Sequence, residues 1–68
     1  MIIDFLDDED VYGRIETNEN IKDIEKLLNK YRESNEEEYN IDDFFIFLRE
    51  NGIKFTEIQV EPDININF

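Results

Sequence analysis

The side chains of this sequence that could do chemistry are mainly carboxylates. Among its 68 residues there are 19 Asp and Glu against 7 Lys and Arg, and neither Cys nor His occurs. Without Cys there is no disulfide, thiolate ligand or cysteine nucleophile, and without His the usual general base near neutral pH is missing. Ser34, Thr17 and Thr56 therefore have no His to activate them. A carboxylate pair could do acid–base work, but so short a chain has little room for a deep cleft, and we expect no enzyme activity.

One group of carboxylates has the spacing of a metal site. Asp8, Asp10 and Glu19 occupy the first, third and twelfth positions of the segment DEDVYGRIETNE, and Gly13 occupies the sixth. The segment resembles the calcium loop of EF-hand proteins, in which Gly allows a sharp turn and the final Glu closes the site. Tyr12 replaces an oxygen ligand of that pattern. The resemblance implies Ca²⁺ bound by Asp8, Asp10 and Glu19. The alternative, which we favour, is an acidic hairpin turn that holds no metal or other cofactor.

The remaining carboxylates are grouped so that they could form a binding surface. We predict a partner-binding surface made of a turn, a loop and the start of a helix. Its acidic members are Asp7, Asp8, Glu9, Asp10, Glu36, Glu37, Glu38, Asp42, Asp43 and Glu50. Such a surface steers a basic partner to rapid, salt-sensitive association. Direct binding of nucleic acid or of an anionic membrane is not expected, because both need clustered Lys and Arg.

The density of negative charge allows mimicry of DNA. A folded chain of 8.3 kDa exposes on the order of 4,600 Å², or roughly one carboxylate per 240 Å². Duplex DNA, treated as a cylinder of about 10 Å radius, carries roughly one phosphate per 110 Å². Concentrating the acid on one face would bring that face close to the density of DNA. The alternative is an acidic surface that only keeps the protein soluble.

An apolar contact point lies among the acids of the predicted second helix. With Ile41, Phe44, Phe45 and Leu48 pointing inward, Ile46 projects outward between Asp42, Asp43 and Glu50. Because interfaces need apolar anchors as well as charge, we predict that Ile46 contacts the partner. The alternatives are that both sides of this helix are covered, or that Ile46 packs in a homodimer.

The first half of the chain must form two strands and a helix. Ile2 to Leu6 reads as a strand, and period-2 alternation from Val11 to Glu16 predicts a second strand that pairs with it as a hairpin. Helical spacing of apolar residues then predicts the first helix, with Thr17, Asn18 or Asn20 as its cap. Its apolar face consists of Ile21, Ile24, Leu27, Leu28 and Tyr31. Its opposite face carries the ridge Lys22, Lys26 and Lys30, which we interpret as solvated.

The second half predicts a shorter helix and two further strands. Asn40 is the expected N-cap of the second helix, with Asp43 completing a capping box, and Gly52 supplies the left-handed residue after it. Residues 53–60 predict a strand with a bulge near Thr56. Residues 61–63 predict a turn, and residues 64–68 predict a last strand.

Together these elements predict one domain over residues 1–68. Its fold class is α+β, a two-layer arrangement in ββααββ order, with an antiparallel sheet and two helices packed on one face. We expect a cytoplasmic protein, because the N-terminus has no signal-peptide pattern. Residue types with AT-rich codons favour a low-GC bacterium, a phage or another mobile element as the source. The sequence therefore predicts a small inhibitor, DNA mimic or antitoxin that occludes a basic, nucleic acid-binding protein. The alternatives are the calcium module and a self-associating structural protein.

Overall fold

The sheet and helices occur in the predicted order. The computed structural model describes residues 1–7, 10–35 and 39–68. Its elements are β1 (Ile2–Asp7), β2 (Asp10–Thr17), α1 (Ile21–Ser34), α2 (Ile41–Glu50), β3 (Phe55–Glu57) and β4 (Ile64–Asn67). The α+β class and the ββααββ order are confirmed.

The four strands form one sheet in the order β3-β2-β1-β4. β1 and β2 pair antiparallel, with Ile3 opposite Ile15, and β2 pairs antiparallel with β3. β4 lies on the other side of β1 and runs parallel to it, with Ile3 opposite Ile64. The prediction of an antiparallel sheet is therefore wrong for the pair β1–β4, and the sheet is mixed.

The burial of β1 explains this arrangement. Ile3, Asp4 and Phe5 are all buried, a pattern typical of a central strand that has neighbours on both sides. A meander of consecutive hairpins would leave this apolar strand at an edge. Pairing with β4 instead places β1 inside the sheet, while Pro62 stays outside the strands, where its missing N–H costs no ladder bond.

The third strand is shorter than predicted. It ends at Glu57, and its register against β2 is regular, so the bulge expected near Thr56 is absent. The Ile58 N–H still donates to the Arg14 carbonyl at 3.2 Å, and the Asp63 N–H donates to the Ile2 carbonyl at 2.7 Å. Residues 58–63 thus connect β3, at one edge of the sheet, to β4, at the other edge. The irregularity lies instead in the β1–β2 pair, where Tyr12 is the extra residue of a bulge.

The two helices begin at the predicted caps. Asn20 caps α1 by accepting the Lys22 N–H, and Asn40 caps α2 by accepting the Asp42 N–H, both at 2.8 Å. The Asn40 N–H donates to the Tyr31 hydroxyl, which itself donates to the Asn40 carbonyl, both at 3.1 Å. This pair of bonds uses the N–H that a capping box would give to Asp43, so that detail of the prediction is wrong.

Aromatic side chains hold α1 against α2. The Tyr31 ring lies 5.4 Å from the Phe44 ring and 5.9 Å from the Phe47 ring, measured between centroids, in tilted arrangements. Ile24, Leu28, Phe44, Phe45 and Leu48 are buried. The predicted inward faces of both helices are therefore confirmed at these positions.

Contacts divide the chain into two compact units. One consists of Met1–Asn18 with Phe55–Phe68, and the other of Glu19–Lys54. The first unit contains the sheet and the second contains both helices. The single domain and the packing of the helices on one face of the sheet stay predictions. Neither helix in the described part of the chain has the length and apolarity needed to cross a bilayer.

Candidate functional site

The most distinctive surface of the helical unit lies on α2. Ile46 is 51% exposed, one of the larger apolar exposures in the described residues. Asp42, Asp43 and Glu50 are exposed as well. We call Asp42, Asp43, Ile46 and Glu50 the α2 patch.

The buried side of α2 fixes the orientation of this patch. Phe44, Phe45 and Leu48 are at most 3% exposed and define the inward direction. At 100° per residue, Ile46 then points away from that side, and the residues three and four positions along the helix lie beside it. The predicted outward orientation of Ile46 is confirmed. Phe47 is half-buried, and the contact of its ring with the Tyr31 ring covers part of it.

Arg49 is a neighbour of Ile46 that sequence reasoning left out of the patch. It is exposed and stands three positions after Ile46, in the last turn of α2. Its charge is favourable at a helix C-terminus. The helical spacing that selected Glu50 could equally have selected Arg49. The acidic character of the α2 patch is therefore strongest at its N-terminal side.

The two N-terminal acids of the patch also have a structural role. Asp42 and Asp43 stand in the first turn of α2, where the helix dipole stabilises negative charge. Each such charge typically contributes about 0.3–1 kcal/mol at an exposed position. Asp42 and Asp43 therefore stabilise α2 itself, whether or not they contact a partner. The stability of any variant at these two positions must be measured before its binding is interpreted.

The predicted turn acids lie in the sheet unit. Asp7 and Asp10 are directly opposite each other at the end of the β1–β2 pair, and both are exposed. Asp7 accepts a hydrogen bond from the Tyr12 hydroxyl at 2.7 Å. It also borders a pocket of about 410 Å³ with Leu6, Asn67 and Phe68. The predicted binding residues Asp8, Glu9, Glu36, Glu37 and Glu38 lie outside the described residues.

The structure of residues 10–17 differs from that of a calcium loop. These residues form the strand β2, and Gly13 lies opposite Phe5 in the ladder. Gly13 does not have the positive φ of a sharp glycine turn, which among the described glycines only Gly52 has. Glu19 belongs to the other unit, where its carboxylate accepts the Lys54 N–H at 3.4 Å. Within the ranges described, no group of three or more acidic side chains could hold a metal ion, and Asp8 lies outside those ranges.

A partly buried ion pair is the feature of the sheet unit that sequence reasoning missed. Asp4 is only 4% exposed, and Arg14 lies directly opposite it on the neighbouring strand. The guanidinium binds the carboxylate through two nitrogens: Nε contacts Oδ1, and Nη2 contacts Oδ2 at 3.0 Å. The hydrogen bond to Asp4, with the charges of Asp4 and Glu61, raises the pKa of Arg14. A charged residue inside the apolar run of Ile2 to Leu6 was the signal in the sequence.

The lysine ridge of α1 borders a groove. Lys22, Lys26 and Lys30 are exposed, as predicted. Two of them line a groove of about 320 Å³ between α1 and the end of α2. The lining residues are Asp23, Lys26, Leu27, Lys30, Asn51 and Ile53. Leu27 and Ile53 are half-buried and supply its apolar surface.

Comparison with known proteins identified no relative of this chain. No protein family, curated protein or solved structure matches this chain.

Proposed function

We propose that this chain is a non-catalytic binding protein that occludes a basic surface of a partner protein. The partner is expected to use that surface for nucleic acid, so the chain acts as an inhibitor of the DNA-mimic or antitoxin type. The α2 patch is its contact surface. Association would be steered by charge and held by burial of an apolar side chain.

The exposure of Ile46 is the observation that carries this proposal. When a partner covers an aliphatic side chain that is 51% exposed, the burial of its apolar surface favours binding. Single exposed aliphatic residues are common on protein surfaces and need no explanation by themselves. Ile46 differs because Asp42 and Asp43 stand one helical turn before it and Glu50 one turn after it. An apolar centre with a charged rim is the usual composition of an interface.

The charge of the whole chain supports a basic partner. With 19 carboxylates over 4825 Å² of accessible surface, there is one per about 250 Å². This value agrees with the expectation from the sequence and is about half the density of duplex DNA on the same measure. A net charge of −12 attracts a basic protein at long range and repels nucleic acid.

The proposal is tested by capture of the partner on the immobilised chain. A lysate of the source organism is passed over the wild type, over Asp42→Lys/Asp43→Lys and over Glu25→Lys/Glu33→Lys. The last variant makes the same charge change at exposed positions of α1, which are not part of the patch. We expect the wild type and the α1 variant to retain one basic protein at about 0.15 M salt and to release it at about 0.5 M. The patch variant should fail to retain it.

Each control has a defined meaning. Melting curves of the three proteins show whether loss of the dipole interaction has unfolded the patch variant. Glu50→Lys, at the C-terminal end of α2, reverses a patch charge without opposing the dipole, and should also weaken capture. Equal loss with both double variants would mean that only net charge matters. Retention of the protein by the patch variant would contradict the proposal.

A further inference from the structure

We infer that the groove beside Lys26 and Lys30 binds the α2 patch of a second copy of this chain. In this contact Ile46 of one copy enters the groove of the next, and its acidic neighbours face the two lysines. The inference uses the same patch as the proposed function but does not require the basic partner. It gives the free protein a way to cover its exposed apolar residue.

The groove has the size and lining to receive Ile46. Its volume is about 320 Å³, whereas an engineered apolar cavity of about 150 Å³ is enough to hold benzene. Leu27 of α1 and Ile53, just after α2, are both half-buried and line it. A half-exposed isoleucine and two half-exposed aliphatic residues all lose solvent contact when they meet.

The charges around the groove complement those around Ile46. Lys26 and Lys30 stand one helical turn apart on α1, and Asp42 and Asp43 stand one turn before Ile46 on α2. Side chains three or four positions apart on a helix have Cβ atoms about 5–6 Å apart, so Lys26 and Lys30 are neighbours, and Asp42 and Asp43 are both neighbours of Ile46. Asp23 also lines the groove, but the two lysines outweigh it, so the lining has an excess of positive charge. That excess is unusual in a chain whose net charge is −12, and it favours an acidic occupant.

The contact joins two different surfaces and is therefore heterologous. Such contacts add copies head to tail unless the rotation between copies closes a ring. The net charge of −12 opposes approach at long range, so association should be measured in about 0.15 M salt, where the Debye length is about 8 Å. Each contact is small, and we expect dissociation constants of about 1 mM.

A charge-swap experiment tests this inference. The groove variant is Lys26→Glu/Lys30→Glu, and the patch variant is Asp42→Lys/Asp43→Lys. Sedimentation velocity follows the wild type, each variant and their equimolar mixture up to about 1 mM, the range set by the expected affinity. We expect the wild type to associate, each variant alone to be at least about tenfold weaker, and the mixture to recover association. Two complementary contacts form in the mixture: the swapped groove with the swapped patch, and the unaltered patch of the groove variant with the unaltered groove of the patch variant. A monomeric wild type, or a mixture no better than its components, would overturn the inference.

A second measurement does not depend on how well the variants fold. On dilution of the ¹⁵N-labelled wild type, amide shifts should change together at Ile46 and at the groove residues Lys26, Leu27 and Ile53. Changes at Ile46 without the groove would indicate a symmetric contact and overturn the inference. Changes at the groove without Ile46 would indicate a different occupant, with the same consequence. The groove variant keeps the α2 patch intact, so its capture of the basic partner tests the proposed function separately.

Discussion

At the scale of single residues, the Asp4–Arg14 pair shows how this small sheet tolerates a charge in its central strand. Asp4 alternates with Ile3 and Phe5, so it lies on the opposite face of β1 and meets Arg14 of β2 there. A carboxylate that is 4% exposed would be costly without a counter-charge. The paired guanidinium offsets that cost and fixes which residues of β1 and β2 face each other.

Replacing Arg14 should destabilise the protein because it leaves Asp4 buried without a counter-charge. We expect Arg14→Met to lower the urea midpoint clearly. The control Lys22→Met removes one positive charge from an exposed site of α1 and should change stability by no more than about 0.5 kcal/mol. Equal midpoints for the two variants would show that the ion pair contributes nothing measurable.

The pH dependence of this loss has a definite sign. The pKa of Arg14 is raised, so the folded protein keeps the guanidinium charged to a higher pH than the unfolded chain does. The contribution of this charge to stability is therefore fully present at neutral pH and is lost only when pH rises through the folded-state pKa. The stability difference between wild type and Arg14→Met should therefore stay constant from neutral to mildly alkaline pH and fall only above the ordinary titration range of arginine. A difference that already shrinks in mildly alkaline solution would contradict this assignment.

At the scale of elements, the end of α2 illustrates what could be predicted from local sequence. Gly52 has φ +81°, its N–H donates to the Arg49 carbonyl, and the Ile53 N–H donates to the Leu48 carbonyl. These two bonds form a Schellman motif, and they confirm the prediction of a left-handed Gly52 after the helix. The same motif places Ile53 at the groove.

Gly52→Ala should destabilise the protein through backbone conformation alone. An added Cβ at this position would meet no atom within 4 Å, so no steric contact contributes. The left-handed conformation costs a non-glycine residue about 1–2 kcal/mol, which lowers Tm by about 4–8 °C per kcal/mol in a domain of this size. Gly52→Asn should lose less, because Asn tolerates this region. Melting curves that rank Asn below Ala would contradict the explanation.

Strand pairing shows where local sequence stopped being informative. Caps, helix faces and the strands β1, β2 and β4 follow from periodicity within a few residues of chain. The parallel pairing of β4 with β1 depends on which arrangement covers β1, which is a property of the whole sheet. The short apolar run of Ile2 to Leu6 was a usable signal for a central strand, and Ile3 to Phe5 are indeed buried in the structure. The groove was not predictable, because it needs residues from α1 and from beyond the end of α2.

At the scale of the whole molecule, the proposed surface is smaller than the one predicted from sequence. Exposed acids occur in both compact units, including Glu16 and Glu61 in the sheet unit and Glu25 and Glu33 in the helical unit. The part of the predicted surface that can be argued from contacts is the α2 patch. The remaining acids supply long-range attraction, which raises the association rate more than it slows dissociation.

The central claim is that Ile46 within the α2 patch contacts the partner, and its most direct test is a titration of the captured basic protein with three versions of this chain. The versions are the wild type, Ile46→Ala and Val60→Ala. Val60 is a matched control, because it is aliphatic and 47% exposed but belongs to the sheet unit. We predict that Ile46→Ala raises Kd at least about tenfold, or about 1.4 kcal/mol, while Val60→Ala leaves Kd unchanged. Equal Kd values for Ile46→Ala and the wild type would contradict the claim.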